Sequence, residues 1–173
     1  MTEDQVRERR QRAFKAYAAI EAMTKPVVAV VHGAAYGSGA EIATACDFAI
    51  AANEATFGLS EVNWGVIPGG LVSWNVADIL SFRDAMYYAV TCDTFDGKTA
   101  EKIRFVNKSV PLKDLKKETI ALAKKLMLKS PEAVRYTKEA IRAVRNMPPH
   151  TAYDYLKAKS DALKLVDKGG REQ

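Results

Sequence analysis

The sequence predicts an α/β protein with a helical tail, on three observations. Val27–Val31 and Phe48–Ala52 are short runs of β-branched residues and alanine with no polar alternation, the pattern of parallel strands buried on both faces. Glycine-rich joints (Gly33, Gly37, Gly39) follow the first run. From Leu112 onward, apolar residues recur at helical spacing, broken at Ser130-Pro131 and Pro148-Pro149. These features divide the chain into an α/β core over residues 1–110 and a helical segment over 111–173.

Thr2 to Thr24 reads as an amphipathic helix. Thr2 is its cap, and Glu3 and Asp4 sit where the dipole favours acids. Lys25-Pro26 ends it, because the residue before proline disfavours the α region. Val27–Val31 is the first strand. Ser38 to Ala45 is helical in pattern, and Ser38-Gly39-Ala40-Glu41 has the form of a capping box. Phe48–Ala52 and Thr56–Gly58 are further strands. Leu59–Gly70 reads as an irregular loop or single turn, and Leu71–Leu80 as a helix. Ser81 caps a helix to about Thr91, and Asp96 a short one over Gly97–Ile103. Phe105–Val110 is a short strand with imperfect alternation. Leu112–Lys129 is amphipathic. Ser130-Pro131-Glu132 starts a helix, with proline at its first position. The last helix spans about Thr151–Asp167 and is stopped by Gly169-Gly170.

The balance of 48% hydrophobic and 27% charged residues is that of a soluble globular protein. The net charge of +5 suits anionic ligands. Its lysines and arginines form no block of five or six, so nucleic acid is not required. Cys46 and Cys92 form no C-x-x-C pair and have no histidines at metal-ligand spacing, which predicts buried reduced thiols and no metal. The charged N-terminus resembles neither a signal nor a transit peptide, and no apolar run is long enough to span a membrane. A soluble protein of a reducing compartment, the cytoplasm, is expected.

Four chemistries are in question at the glycine joints. Backbone N–H groups at the Gly37-Ser38-Gly39 turn, opening a helix, can stabilise an oxyanion on a carbonyl or thioester. The same glycines can equally serve only a tight strand–helix turn. Glu41 and Glu61 each lie beside a glycine-rich turn, and such a pair can hold and polarise one water, one acting as base and one as acid. As pattern alone, Glu41 is also a capping acid and Glu61 a surface loop acid. A dinucleotide fingerprint is absent, because Ile42 stands at the third glycine position. Ser38 is not in a G-x-S-x-G elbow, since Tyr36 and Ala40 occupy the outer positions. His32, at the end of a strand, reads as a core histidine.

Taken together, Val-Val-His-Gly-Ala-Ala-Tyr-Gly-Ser-Gly-Ala-Glu, Ala-Cys-Asp-Phe-Ala-Ile-Ala and Ala-Thr-Phe-Gly-Leu-Ser-Glu-Val-Asn-Trp-Gly-Val-Ile-Pro-Gly-Gly resemble the crotonase (enoyl-CoA hydratase/isomerase) superfamily, from about Glu8 onward. The resemblance implies a partial crotonase-type ββα spiral core with a C-terminal helical segment. Leu59–Gly65, Asp154-Tyr155-Leu156 with Ala158-Lys159, and the closing Gly-Gly-Arg-Glu-Gln look most like the hydroxycinnamoyl-CoA (feruloyl-CoA) hydratase-lyases. That group hydrates the enoyl double bond and cleaves the product to an aromatic aldehyde such as vanillin and acetyl-CoA. It uses no cofactor, coenzyme A being part of the substrate.

By the same resemblance, the Ser38 backbone N–H is one oxyanion-hole donor, and Glu61 is the acid/base, with Glu41 a second catalytic carboxylate. Gly37, Gly39 and Gly69 shape the pocket, Trp64 lines it, and Tyr155 contacts substrate. Homotrimers or dimers of trimers are implied for the intact protein. Two positions depart from the lyase pattern: Glu41 stands where a serine is usual, and Lys157 where a second tyrosine is. A plain enoyl-CoA hydratase or isomerase is therefore the alternative, and an inactive fragment that oligomerises or binds RNA is another. The resemblance also implies a chain that begins inside the family domain, without its first strands, the other oxyanion donor and much of the CoA adenine site.

Overall fold

A computed structural model describes residues 2–166; the predicted helix stop at Gly169-Gly170 and the closing Gly-Gly-Arg-Glu-Gln lie outside the described residues. The chain forms two compact units, one of residues up to Met23 with Val27–Ile120, the other of Thr24–Pro26 with the chain from Ala121 onward.

The first unit opens with α1 (Glu3–Ala22), held by a capping box in which Thr2 accepts from the Gln5 N–H and Gln5 from the Thr2 N–H. Then come β1 (Val28–Val31), β2 (Ala34–Tyr36), α2 (Ser38–Ala45), β3 (Phe48–Ala52) and β4 (Thr56–Gly58). A 3-10 turn over Glu61–Trp64 leads to α3 (Val72–Ile79), α4 (Phe82–Thr91), β5 (Phe95–Asp96), α5 (Gly97–Lys102) and β6 (Lys108–Val110). The start of α6 (Leu112–Met127) completes this unit.

The strands form two three-stranded sheets. One is all parallel in the order β1-β3-β6, with Val28 opposite Phe48 and Ala51 opposite Ser109. The other, β2-β4-β5, pairs β2 parallel and β5 antiparallel to β4. The strands β2 and β5 were not expected from sequence. They have three and two residues, too short for any periodicity to register, and only the partner β4 makes them strands.

Three further expectations are corrected. β1 is an edge strand and is not covered on both faces: Val30 is 43% exposed. β3, in the middle of the same sheet, is the buried one, with Ile50, Ala51 and Ala52 almost fully enclosed. His32 is exposed, not a core residue, and both cysteines lie outside any disulfide and are only half-buried. Alanine-rich β3 permits close approach of α5: a Cβ on Gly97 would overlap the Ala52 carbonyl oxygen and come 2.8 Å from Ser109 Oγ.

An aromatic cluster backs the second sheet. Phe57 stacks on Phe95 at 5.5 Å and meets Phe105 edge-on at 5.2 Å, and Tyr88 packs on Phe95 at 4.4 Å. Phe57 is fully buried, and an aromatic of its size contributes ~1.5–3 kcal/mol by burial. The cluster fixes β4, whose last residue, Gly58, holds the turn before α2.

In the second unit α7 (Pro131–Val144) is capped by Ser130, which accepts from the Ala133 N–H, with Pro131 at the first position as expected. It packs on α8 (Pro149–Val166). Lys138 Nζ donates to the Lys25 carbonyl at 3.1 Å, and Lys159 pairs with Glu139 across α7 and α8. Among the described residues no helix is long and apolar enough to cross a membrane.

Candidate active site

Gly37 stands at the head of α2 with φ +50° and ψ −116°, a left-sided backbone that glycine adopts without steric cost. Its N–H donates to the Gly58 carbonyl at 3.2 Å, tying the turn to β4. Ser38 is therefore the first helical residue, not the cap: the expected capping box does not form, and no side chain caps this helix. Its first amide groups, starting with the Ser38 N–H, have no intrahelical acceptor. Ser38 and Gly39 are exposed, so this end of α2 presents donors outward.

The Glu61 carboxylate lies over this turn, its Oε1 3.6 Å from where a Cβ on Gly37 would be. Its Oε2 is buried without a hydrogen-bond partner among the described residues. An acceptor in that state costs about 1–3 kcal/mol unless a water or ligand satisfies it.

Glu41 faces the other way. It is 6% exposed, and its Oε1 accepts the Leu71 N–H at 3.0 Å. Gly70, at φ +61°, lets the chain turn directly over it: a Cβ there would overlap Oε1 and stand 3.2 Å from Cδ. Glu41 therefore receives the N-terminal end of α3, whose flank is Leu71. In sequence terms it belongs to α2 as a first-turn acid; in space it is a buried acceptor for a segment thirty residues on.

Tyr17, on α1, completes the cluster and was not anticipated. It is 3% exposed. Its pKa is raised, first by burial and then by the Glu41 carboxylate. The Gly70 turn and the Leu71 N–H were missed as well. Gly69-Gly70 marked a turn in the sequence, but the glycine that contacts a carboxylate is Gly70. A Cβ on Gly69 would have only the Ile67 carbonyl at 3.8 Å.

Trp64 stands on the 3-10 turn and is 80% exposed. Tyr155 belongs to the second unit, where the Lys159 ammonium lies 5.8 Å from its ring. Among the described residues no group of His, Cys, Asp and Glu could hold a metal ion.

The first unit thus holds an uncapped helix N-terminus, the Glu61 carboxylate laid across it and, facing the other way, the buried Glu41 carboxylate. The profile of the enoyl-CoA hydratase/isomerase family matches residues 1–164. The chain belongs to that family. This crotonase chain is 46% identical to a hydroxycinnamoyl-CoA hydratase-lyase of Pseudomonas fluorescens, over 86% of its own length and 54% of that protein's. It is 38% identical to a crotonyl-CoA hydratase of Syntrophomonas wolfei, over 73% of its own length and 48% of the relative's. The chain thus spans about half the length of these relatives. The crystal structure of an enoyl-CoA hydratase from Bacillus anthracis superposes with a TM-score of 0.93 at 30% identity, covering 97% of this chain and 65% of that one. The crotonase fold expected from the resemblance is therefore present.

Proposed function

We propose that this chain carries the acid/base half of an acyl-CoA hydratase/lyase site. The observation that supports this most directly is Glu61: a carboxylate over an uncapped helix N-terminus, with one buried oxygen left unpartnered. A thioester oxygen at the Ser38 N–H would gain negative charge as the double bond is attacked. A water held at Glu61 would lose a proton to it while its oxygen bonds the β-carbon, and the proton would return to the α-carbon. Cleavage would follow by removing the β-hydroxyl proton, breaking the bond between the α- and β-carbons, and releasing an aldehyde while the acetyl-CoA carbanion is reprotonated.

For the acyl group we infer a hydroxycinnamoyl (feruloyl) chain, on the 46% identity with the Pseudomonas fluorescens hydratase-lyase. Gly37, Gly39 and Gly69 would shape the acyl pocket, with Trp64 lining it. The reading calls for no cofactor beyond the substrate's own coenzyme A. It assigns the protein to the cytoplasm as a homotrimer or dimer of trimers, for which exposed Ile67 and Phe82 supply apolar surface. A second reading, hydration without cleavage, is favoured by Glu41, a built-in second carboxylate that is buried and fixed by Leu71.

Assays with feruloyl-CoA and crotonyl-CoA separate the readings. Aldehyde release from feruloyl-CoA is expected. Formation of 3-hydroxyacyl-CoA alone establishes the plain hydratase, and no turnover of either refutes catalysis by this chain.

A further inference from the structure

The turn that presents the Ser38 N–H follows directly on Tyr36, the last residue of β2. Across the strand pair Tyr36 stands opposite Gly58 of β4. Three contacts bind this end of β2 to β4. The Gly37 N–H donates to the Gly58 carbonyl at 3.2 Å. The Tyr36 hydroxyl donates to Thr56 Oγ1 at 2.9 Å. The Tyr36 ring lies against Gly58, where an added Cβ would stand 2.8 Å from Cδ1 and 3.0 Å from Cε1. Directly opposed residues of a strand pair meet on one face, and here the ring leaves no room for a second side chain. Gly58 has no left-handed φ, so its backbone does not call for glycine; the ring does. Tyr36 is 44% exposed, so filling the core is not its purpose. The far end of the pair is tied separately, by the Thr56 N–H to the Gly33 carbonyl at 3.3 Å.

We propose that Tyr36 is a positioning residue for the oxyanion turn: its ring seated on Gly58, and its hydroxyl on Thr56, fix the end of β2 from which Gly37 turns and the Ser38 N–H is aimed. The proposal rests on the reading of that N–H as an oxyanion donor. Tyr36 touches no reacting atom and acts through Gly37. A donor aimed at a developing charge stabilises it only at hydrogen-bond distance. Without the ring, Gly37 keeps its bond to Gly58 only part of the time, and the Ser38 N–H loses its fixed aim. The cost falls on the step in which charge develops, not on binding of the acyl-CoA.

Tyr36→Ala removes ring and hydroxyl, Tyr36→Phe keeps the ring, and a thermal melt checks that each folds. Hydrogen exchange of the Gly37 amide, read by NMR, reports on the turn directly, and the Thr56 amide is the control at the far end of the pair. In Tyr36→Ala the Gly37 amide is expected to exchange about tenfold faster, with Thr56 little changed. An unmoved Gly37 amide, or equal acceleration of both, overturns the proposal. With crotonyl-CoA or feruloyl-CoA, whichever turns over faster, Tyr36→Ala is expected to lower kcat about tenfold with KM within about twofold, and Tyr36→Phe to restore most of the rate. Full kcat in Tyr36→Ala, or a loss carried by KM, shows a merely structural tyrosine. Gly58→Ala attacks the same contact from β4. It is expected to speed Gly37 exchange in the parent protein and to add little in a Tyr36→Ala background, where the ring it displaces is gone. Equal effects in both backgrounds overturn the seat on Gly58. If Tyr36→Ala does not fold, Gly58→Ala in the parent decides, and an unmoved Gly37 amide there sinks the proposal. If the parent turns over neither thioester, the proposed function falls, and Gly37 exchange still decides whether Tyr36 holds the turn.

Discussion

Gly70→Ala tests whether the turn over Glu41 is required for its conformation, its space or both. The residue has φ +61°, and an added Cβ would overlap Glu41 Oε1. The left-handed backbone alone costs alanine ~1–2 kcal/mol. Displacing the carboxylate also breaks the Leu71 N–H bond to a buried, 6%-exposed acceptor, worth ~1.5–3 kcal/mol for a charged partner. The expected loss is their sum, about 2.5–5 kcal/mol. Two neighbours serve as controls. Gly65 has φ +68° and nothing within 4 Å of its added Cβ, so Gly65→Ala carries the backbone cost alone. Gly69 shows no such φ and only an ordinary contact at 3.8 Å, so Gly69→Ala is expected to be neutral or stabilising by up to ~1 kcal/mol, through the unfolded chain. Urea unfolding followed by circular dichroism measures all three. The difference between Gly70→Ala and Gly65→Ala isolates the Glu41 contact, because the unfolded-state term is common to both. If Gly70→Ala destabilises no more than Gly65→Ala, the Glu41–Leu71 bond is not structurally important and the account of the site's second carboxylate is wrong.

Glu61→Gln keeps the shape but not the basicity, and turnover of the preferred enoyl-CoA should fall by about 10²–10⁴-fold; full rate in that variant removes Glu61 from the chemistry. Gly97→Ala would drive a methyl into the Ala52 carbonyl, and a loss of at least ~2 kcal/mol is expected in the same unfolding assay, as for overpacked cores. Asp96 caps α5 by accepting from the Thr99 N–H at 2.8 Å, and that bond holds its carboxyl below the ordinary aspartate range. A depressed folded pKa means the stabilisation is present above the unfolded value of about 4 and is lost as pH falls through the folded one. Asp96→Ala should therefore cost ~1 kcal/mol at neutral pH. That gap should close as pH falls below the unfolded value and through the lower folded one, and a gap independent of pH contradicts the assignment.

Much of the α/β layer was legible in the sequence because its signals are local. The uniform apolar character of Phe48–Ala52 marked a central strand. Ser130-Pro131 marked a helix start, and Thr2 and Ser81 acted as the caps they resemble. Even so, β1 looked as buried as β3. Burial of a strand depends on what covers it, and a run of valines says nothing of its neighbours. The pairing of β2 with β4 through Ala34–Tyr36 was illegible for the same reason: three residues become a strand only when a partner lies beside them.

The site divides along that line. Gly37, Glu41 and Glu61 could be picked out in advance, because each sits at a glycine turn and turn chemistry is written in adjacent residues. Resemblance to the crotonase family then gave those three a role. Sequence determined that a carboxylate stands in the first turn of α2. Only the tertiary structure decided that it is buried and faces Gly70 and Leu71 rather than capping its own helix. The physical reason is distance along the chain. A hydrogen bond between residues 41 and 71 leaves no periodicity or composition to read. It exists because folding removes water from both partners and leaves each as the other's best acceptor or donor.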